Sequence, residues 1–525
     1  MMGYLALLLH AHLPFVRHPE HDEFLEEDWL FEAITETYIP LVAMLHRLLR
    51  ERVPFKLTLS VTPTLVAMLQ DELLVSRYIA YLDRSIDLAL REIERNKNHE
   101  KLLALSQFYH VRLNECRRLF VDDWQCDLIA ELRGLRTASA IEIVASAATH
   151  GLLPLLQETP EAVRAQILVG CDAYREAFGA EPVGFWLPEC AYSPGIETGM
   201  QEANLRWFVV DAHGLMFGKP RPLRAIYAPC YTGAGPAAFA RDPESTRQVW
   251  SAEEGYPGDP VYREFYRDIG FELAPEYIRP HRADSRLPGF TGLKYHRVTR
   301  REGEKELYDR EQACAAADAH ASHYLESRRR QINELDALDF DPIVVVPFDA
   351  ELFGHWWFEG PRFLESFIRK VAASAENFRL TTPTEYLMEH PTLQTIVPAA
   401  SSWGDEGYWK VWLGEKNAWL YPHLRRAARQ MTDLARHHAR DHTPGTDRAL
   451  RQLARELLLA QSSDWAFLMN SGTATEYATK RTKTHLLRFN QLREEFAAGA
   501  VNESFLSECE SRDNIFPHVN WRYYI

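Results

Sequence analysis

The sequence predicts an α/β fold built on a parallel barrel, on three observations. Several runs are apolar throughout, which marks strands buried on both faces. Helical patterns fall between several of these runs, and strand–helix–strand units with right-handed crossovers build a parallel sheet. Polar residues gather at the C-terminal ends of the runs: His10 and His12, Glu189, Asp211 and His213, Asp349 and Glu351. A parallel barrel carries its chemistry at that end of each strand. An open doubly wound sheet concentrates it at one crevice, so polar ends spread over many strands favour the barrel.

The strand runs, in order, are GYLALLLHAH (3–12), FKLTLSVTP (55–63), VGFWLPECAY (183–192), RWFVVDAHG (206–214), DPIVVVPFDAELFG (341–354) and FRLTTPTEYL (378–387). The last turns into a helix at Thr384. IEIVASAATHG (141–151) fits either a strand or the start of a helix. Residues 66–138 are long, charged and helix-patterned, and read as an inserted helical domain. From about Gly414 onward the pattern is helical, punctuated by HTPGTD (442–447), which gives a helical C-terminal domain. There is no internal repeat and no low-complexity tract.

A chain of 525 residues exceeds one simple core, so two or three domains are expected. With 46% hydrophobic and 25% charged residues it has the mix of an ordinary globular protein. The net charge of −15 argues against nucleic acid and anionic membranes as partners, and leaves neutral small molecules and polymers. Residues 5–9 are too short an apolar run, and lack the basic flank, for a signal peptide. No run reaches the length of a membrane span. Seven cysteines without a C-x-x-C pair point to reduced thiols in a cytoplasm. The 13 Trp, 22 Tyr and 26 Phe fit a large aromatic core first and a sugar-binding cleft second.

Glu189, in WLPECAY between Trp186 and Tyr192, is a nucleophile candidate; its bland alternative is a partner for an arginine. If the strand continues, alternation turns Cys190 away from the cleft into the core. Asp349 stands two residues before Glu351. Two acids so close raise the pKa of at least one of them, as a proton donor near neutral pH requires. Spacing does not say which is the acid. Two carboxyls on separate strands fit cleavage of a glycosidic bond, and a separation of about 5 to 5.5 Å would mean retention of configuration through a covalent intermediate. His10 and His12 share a face. With His150, His213 and Asp349 they could bind a metal or hydrogen-bond sugar hydroxyls.

Five segments in order, HAHLPF (10–15), ATHGLLP (148–154), GFWLPECAY (184–192), VPFDAELFGHWW (346–357) and SSWGDEGYWKVW (401–412), resemble the signature regions of glycoside hydrolase family 57, above all its α-1,4-glucan branching members. The resemblance extends to SSDWAFLM (462–469). It implies an incomplete (β/α)7 barrel over residues 1–400, the helical insertion at 66–138 and an all-helical C-terminal domain at 401–525. It implies Glu189 as nucleophile, Asp349 as acid/base, and no metal or other cofactor. Substrate-binding residues are then expected at His10, His12, His150, Trp186, Asp211, His213, Trp250, Glu351, His355, Trp403, Trp412 and Trp465. The expected partner is an α-1,4-glucan polymer, and the expected reaction is transfer to a 6-hydroxyl. The alternatives are a 4-α-glucanotransferase or α-amylase on the same scaffold, and a metal-dependent deacetylase, in which Glu189 would have no evident task.

Transfer requires water to be kept from the intermediate. The resemblance points to the loop at 228–242, with Tyr231 as its bulky tip and Gly233 and Gly235 as hinges, as the cover over the site.

Overall fold

The computed structural model describes residues 2–251, 254–282, 288–299, 304–335, 340–374, 378–441 and 443–525. His442, the first residue of the expected punctuation, lies outside them. Among the described residues nine strands form one sheet: β1 (Gly3–Ala11), β2 (Leu57–Val61), β3 (Ile141–Ser146), β4 (Gly184–Trp186), β5 (Trp207–Val210), β6 (Cys230–Tyr231), β7 (Ala237–Ala240), β8 (Ile343–Asp349) and β9 (Phe378–Leu380). The hydrogen-bonded order is β6-β7-β5-β4-β3-β2-β1-β8, with β9 joined to the first residues of β1. All pairs are parallel except the β6–β7 hairpin.

The two ends of this path meet. Arg241, just past β7, bridges Val345 of β8 in parallel, and the Asp242 N–H donates to the Val345 carbonyl at 2.9 Å. The seven parallel strands along the path from β7 to β8 therefore curl into a barrel that this bridge closes on one side, with β9 added to β1. This is the incomplete (β/α)7 barrel that the sequence led us to expect. The ambiguous run at 141–151 begins as strand β3.

Every residue of β1 is buried, which explains its lack of alternation. Tyr4, Ala6 and Leu8 join Trp186, Val209, Phe239 and Val345 inside the barrel, while Leu5, Leu7 and Leu9 belong to the main core outside it. Along β1 and β8 the inward face ends in polar residues. His10 lies directly opposite Asp349 in the register.

Helices Pro63–Leu69, Glu72–Arg95, Glu100–Arg117 and Leu128–Thr137 fill the excursion between β2 and β3. A second excursion, which the sequence pattern did not reveal, runs between β7 and β8. It contains helices Pro243–Trp250 and Arg310–Leu335. Five further helices close the chain: Leu420–His437, Pro444–Ala460, Ser463–Ser471, Thr475–Ala497 and Glu503–Arg512. The first buries Leu420, Leu424, Ala427, Ala428, Met431 and Ala435, one stripe of a 3.6-residue period. Helix Ser463–Ser471 begins against the C-terminal mouth of the barrel, where the Ser463 N–H donates to the His150 carbonyl at 3.1 Å. Among the described residues no helix is long and apolar enough to cross a membrane.

Candidate active site

Glu189 does not sit on a continuing strand. β4 ends at Trp186, and Pro188–Cys190 forms a turn in which Glu189 (φ 63°, ψ 23°) and Cys190 (φ 49°) are both left-handed. Such conformations cost on the order of 1–3 kcal/mol each in a non-glycine residue and persist only where surrounding structure enforces them. Trp403 does so twice. Its backbone N–H donates to the Glu189 carbonyl at 3.0 Å, and its indole Nε1–H donates to Glu189 Oε2 at 2.7 Å. Tyr192 and Ser401 exchange two backbone hydrogen bonds on the same seam. Cys190 does point into the barrel core, as expected, but the turn turns it inward, not strand alternation.

Asp349 is the last residue of β8, on the inward face that holds Ile343 and Val345, and is partly exposed. Its carboxyl and that of Glu189 are close enough to repel. Burial, reinforced by Asp349 and Asp464 against the Trp403 hydrogen bond, pushes Glu189 up to about 8. Burial also raises Asp349 to about 6, against the pull of His12 and Arg241. At neutral pH the pair accordingly holds one proton, with Glu189 the more basic member.

Three histidines stack beside this pair. The rings of His12 and His150 lie 3.8 Å apart at 19°, and His10 stacks on Trp186 at 4.7 Å. A chain of hydrogen bonds runs Ser60 Oγ–His10 Nδ1 (3.2 Å), His10 Nε2–His150 Nε2 (3.0 Å), His150 Nδ1–Ser463 Oγ (3.0 Å). Ser463 then donates to Glu189 Oε1 at 3.5 Å. With Glu189 ionised, this direction places the proton of His150 on Nδ1 and that of His10 on Nε2, with Ser60 donating to His10. Burial keeps both rings neutral, holding His10 and His150 well below the usual histidine range. His12 engages Thr62 Oγ1 through Nδ1 at 2.9 Å and Asp464 through Nε2 at 3.0 Å. All six ring nitrogens thus have protein partners. The ligand atoms of His12, His150 and Asp464 lie within 4.8 Å of one another. Face-to-face rings, however, keep their nitrogen lone pairs in separate parallel planes, which does not suit a common ion.

Other expected residues move. Glu351 is buried; Tyr38 donates to its Oε1 at 2.5 Å, as does the His12 N–H at 3.2 Å. It fixes the backbone of His12 and does not reach the cleft, because β8 ends at Asp349 and the next turn rotates it away. His355 turns to Glu36, with Nδ1 2.7 Å from Oε2. Asp211, His213 and Arg241 form one cluster at the rim: Asp211 accepts from Arg241 at 3.2 Å and lies 2.9 Å from His213 Nδ1. His213 Nε2 contacts the Gly407 carbonyl at 2.9 Å. Gly407 (φ 78°) has no room for a side chain, since a Cβ would stand 2.8 Å from that ring.

The tryptophans divide. Trp250 is 46% exposed and stacks at 21° on Trp403, whose centroid is 6.4 Å away. Trp186, Trp412 and Trp465 are buried and do not present faces to a ligand. Trp186 packs under His10 and Trp403, Trp412 fills the space beneath Gly404, and Trp465 donates Nε1–H to the Leu459 carbonyl. Tyr231 is the largest displacement. Because β7 runs parallel to β5, the hairpin joining β6 to β7 lies at the N-terminal end of the barrel, opposite Glu189. There Tyr231 lines a cavity of about 350 Å³ with Val183, Arg206, Thr384 and Met388. It does not cover the site.

Asp464 and Ser463 were missed. Burial alone would raise Asp464, but His12 outweighs it and brings the carboxyl down to about 2. The signal was the polar run Ser462-Ser463-Asp464 opening a helix directly before the buried Trp465.

A parallel barrel with two mutually repelling carboxyls at its mouth, beneath a stacked pair of tryptophans, is the layout of an enzyme that cleaves glycosidic bonds through two acids. The chain belongs to glycosyl hydrolase family 57, whose model matches residues 6–399. A model described as 1,4-alpha-glucan branching enzyme, C-terminal, matches residues 423–524. A 1,4-alpha-glucan branching enzyme of Thermococcus kodakarensis is 35% identical over 99% of this chain and 78% of its own. Among solved structures, the alpha-amylase AmyC from Thermotoga maritima shares 41% identity with a TM-score of 0.93, covering 100% of this chain and 99% of its own. A branching enzyme of this family from Pyrococcus horikoshii shares 34% identity with a TM-score of 0.89, covering 100% and 97%.

Proposed function

We propose that the chain is a retaining α-1,4-glucan branching enzyme in which Glu189 is the nucleophile and Asp349 the acid/base. The observation that carries the roles is the asymmetry of their surroundings. The Glu189 carboxylate is aimed and steadied by Trp403 and Ser463, whereas among the described residues no side chain donates a hydrogen bond to Asp349. A carboxyl with fixed donors suits nucleophilic attack; one without them is left to give and take a proton. Glu189 attacks the anomeric carbon while Asp349 transfers its proton to the departing O4. The 6-hydroxyl of another glucan chain then attacks the same carbon, returns its proton to Asp349 and releases Glu189. For the first step the proton of the pair must lie on Asp349, so substrate binding has to draw it there from Glu189.

Residues 1–400 form the catalytic unit on this reading, with the helical insertion at 66–138 and the helical domain at 401–525. The C-terminal match and the branching relatives support transfer. The partner on this reading is an α-1,4-glucan polymer (amylose, glycogen or a related glucan), with no nucleic acid or membrane as partner. All seven cysteines are free thiols, in keeping with a cytoplasmic enzyme. The likeness to an alpha-amylase supports a second reading, hydrolysis at the same site. Proton NMR of amylose treated with the protein, with reducing ends counted in parallel, decides between them. A growing 1→6 anomeric signal with few new reducing ends establishes branching. Reducing ends without that signal make the chain a hydrolase.

A further inference from the structure

Six aromatic rings form a continuous patch on the segment that follows the Asp349 strand and on the excursion packed against it. Trp356 contacts His355 (centroids 6.4 Å apart), His355 meets Phe265 (5.2 Å), and Phe265 meets both Tyr266 (5.1 Å) and Phe290 (5.5 Å). Phe290 meets Phe271 at 5.0 Å. Three of these rings are open to solvent: Tyr266 is 77% exposed, Phe271 50% and Trp356 45%. The patch is held from below. Lys294 lies 4.2 Å from the Phe265 ring and 4.5 Å from Phe290, and His355 is anchored on Glu36. Charged neighbours are paired with one another, Arg267 with Glu272 and Lys305 with Glu264 at 2.7 Å.

Exposed aromatic rings clustered in this way are a candidate binding surface. We propose that it binds a continuation of the α-1,4-glucan chain outside the catalytic mouth. The patch adjoins that mouth through the turn that carries Glu351, whose carboxyl accepts from the His12 N–H and whose carbonyl accepts from the Trp356 N–H at 3.1 Å. Flat faces with neutralised charges suit the apolar faces of successive glucose units and not an anionic polymer, which the net charge of −15 would repel. This inference rests on the α-glucan reading of the site. It adds a surface that favours long chains over short ones.

The test compares the parent with the double variant Tyr266→Ala/Phe271→Ala, and with Met388→Ala in the cavity at the opposite end of the barrel as a control. Affinity electrophoresis in soluble amylose reads binding. Steady-state kinetics on amylose and on maltohexaose read the split between KM and kcat. The double variant is expected to weaken amylose binding about tenfold and to raise KM for amylose in proportion at constant kcat, with a shift under about twofold on maltohexaose. Unchanged amylose binding, or equal losses on both substrates, overturns the inference. So does loss of self-association in sedimentation with amylose binding intact, since the patch would then join two copies of this chain. Should the parent bind amylose through the patch yet form neither branches nor reducing ends, the functional reading fails and the surface stands.

Discussion

Trp403 grips Glu189 at two points, backbone to backbone at 3.0 Å and indole Nε1–H to Oε2 at 2.7 Å. One residue thereby fixes the left-handed turn and the direction of the carboxylate together. Trp403→Phe keeps the ring and the backbone bond but removes the side-chain donor. A hydrogen bond to a charged group is worth roughly 1.5–3 kcal/mol. The variant should lose about ten- to a hundredfold in kcat, and its pH profile should move to higher pH because the Glu189 carboxylate loses support. A loss of activity with an unmoved profile would reduce Trp403 to packing.

The pH profile of the parent follows from the same pair. Asp349 is raised to about 6 and Glu189 to about 8, each chiefly by burial. Below the lower value both carboxyls are protonated and the nucleophile is lost. Above the higher value both are ionised and the acid is lost. kcat/KM is therefore expected to be bell-shaped, with apparent limbs near 6 and 8 that belong to the pair. Activity that keeps rising above the upper limb would show that no protonated carboxyl takes part.

Separate variants divide the roles. Glu189→Gln should lower kcat by at least about a thousandfold on every substrate. Asp349→Asn should fail on amylose but still react with a maltosyl fluoride, whose leaving group needs no proton, and mass spectrometry should find the sugar attached to Glu189. An adduct on any other residue would overturn the assignment.

How far the sequence could be read depended on which force fixes each residue. Strands buried on both faces were plain because burial leaves an uninterrupted apolar run, as in β1 and β8. β7 was not, because AAFA is short and its neighbours are glycine and proline turns. Glu189 and Asp349 could be picked out as carboxyls at strand ends. Their surroundings could not, because Ser463 and Asp464 arrive from a helix more than a hundred residues away. The tryptophans misled for a related reason: motif membership does not say which face a ring presents. Trp412 and Trp465 are core residues beside a cleft, while Trp250 remains open to it.

The placement of Tyr231 reverses the expectation drawn from its loop. It lies at the barrel's N-terminal end, with its hydroxyl donating to the Pro391 carbonyl at 3.3 Å. Tyr231→Ala should therefore leave the ratio of reducing ends to branch points within about twofold of the parent, as for an ordinary surface position. A marked rise in hydrolysis would mean that this end of the barrel communicates with the mouth.

Asp464 offers a test of how the helical region completes the site. Its carboxylate meets His12 Nε2 at 3.0 Å and accepts from Ser462 Oγ at 2.5 Å, so it ties the start of helix Ser463–Ser471 to the end of β1. Burial opposes its charge, yet the interaction with His12 prevails and the carboxyl falls from 3.8 to about 2. A carboxyl depressed on folding contributes stability that is present in full above its unfolded value and is lost as pH drops through the folded one. Asp464→Asn removes that contribution. The variant should lose roughly 1–3 kcal/mol of stability near neutral pH. The gap in Tm between parent and variant should then narrow as pH falls from about 4 toward 2. Since His12 stacks on the ring that, through Ser463, supports Glu189, kcat/KM should also fall by about tenfold or more. A variant equal to the parent in both Tm and kcat/KM would leave the helix start as a passive neighbour of the barrel.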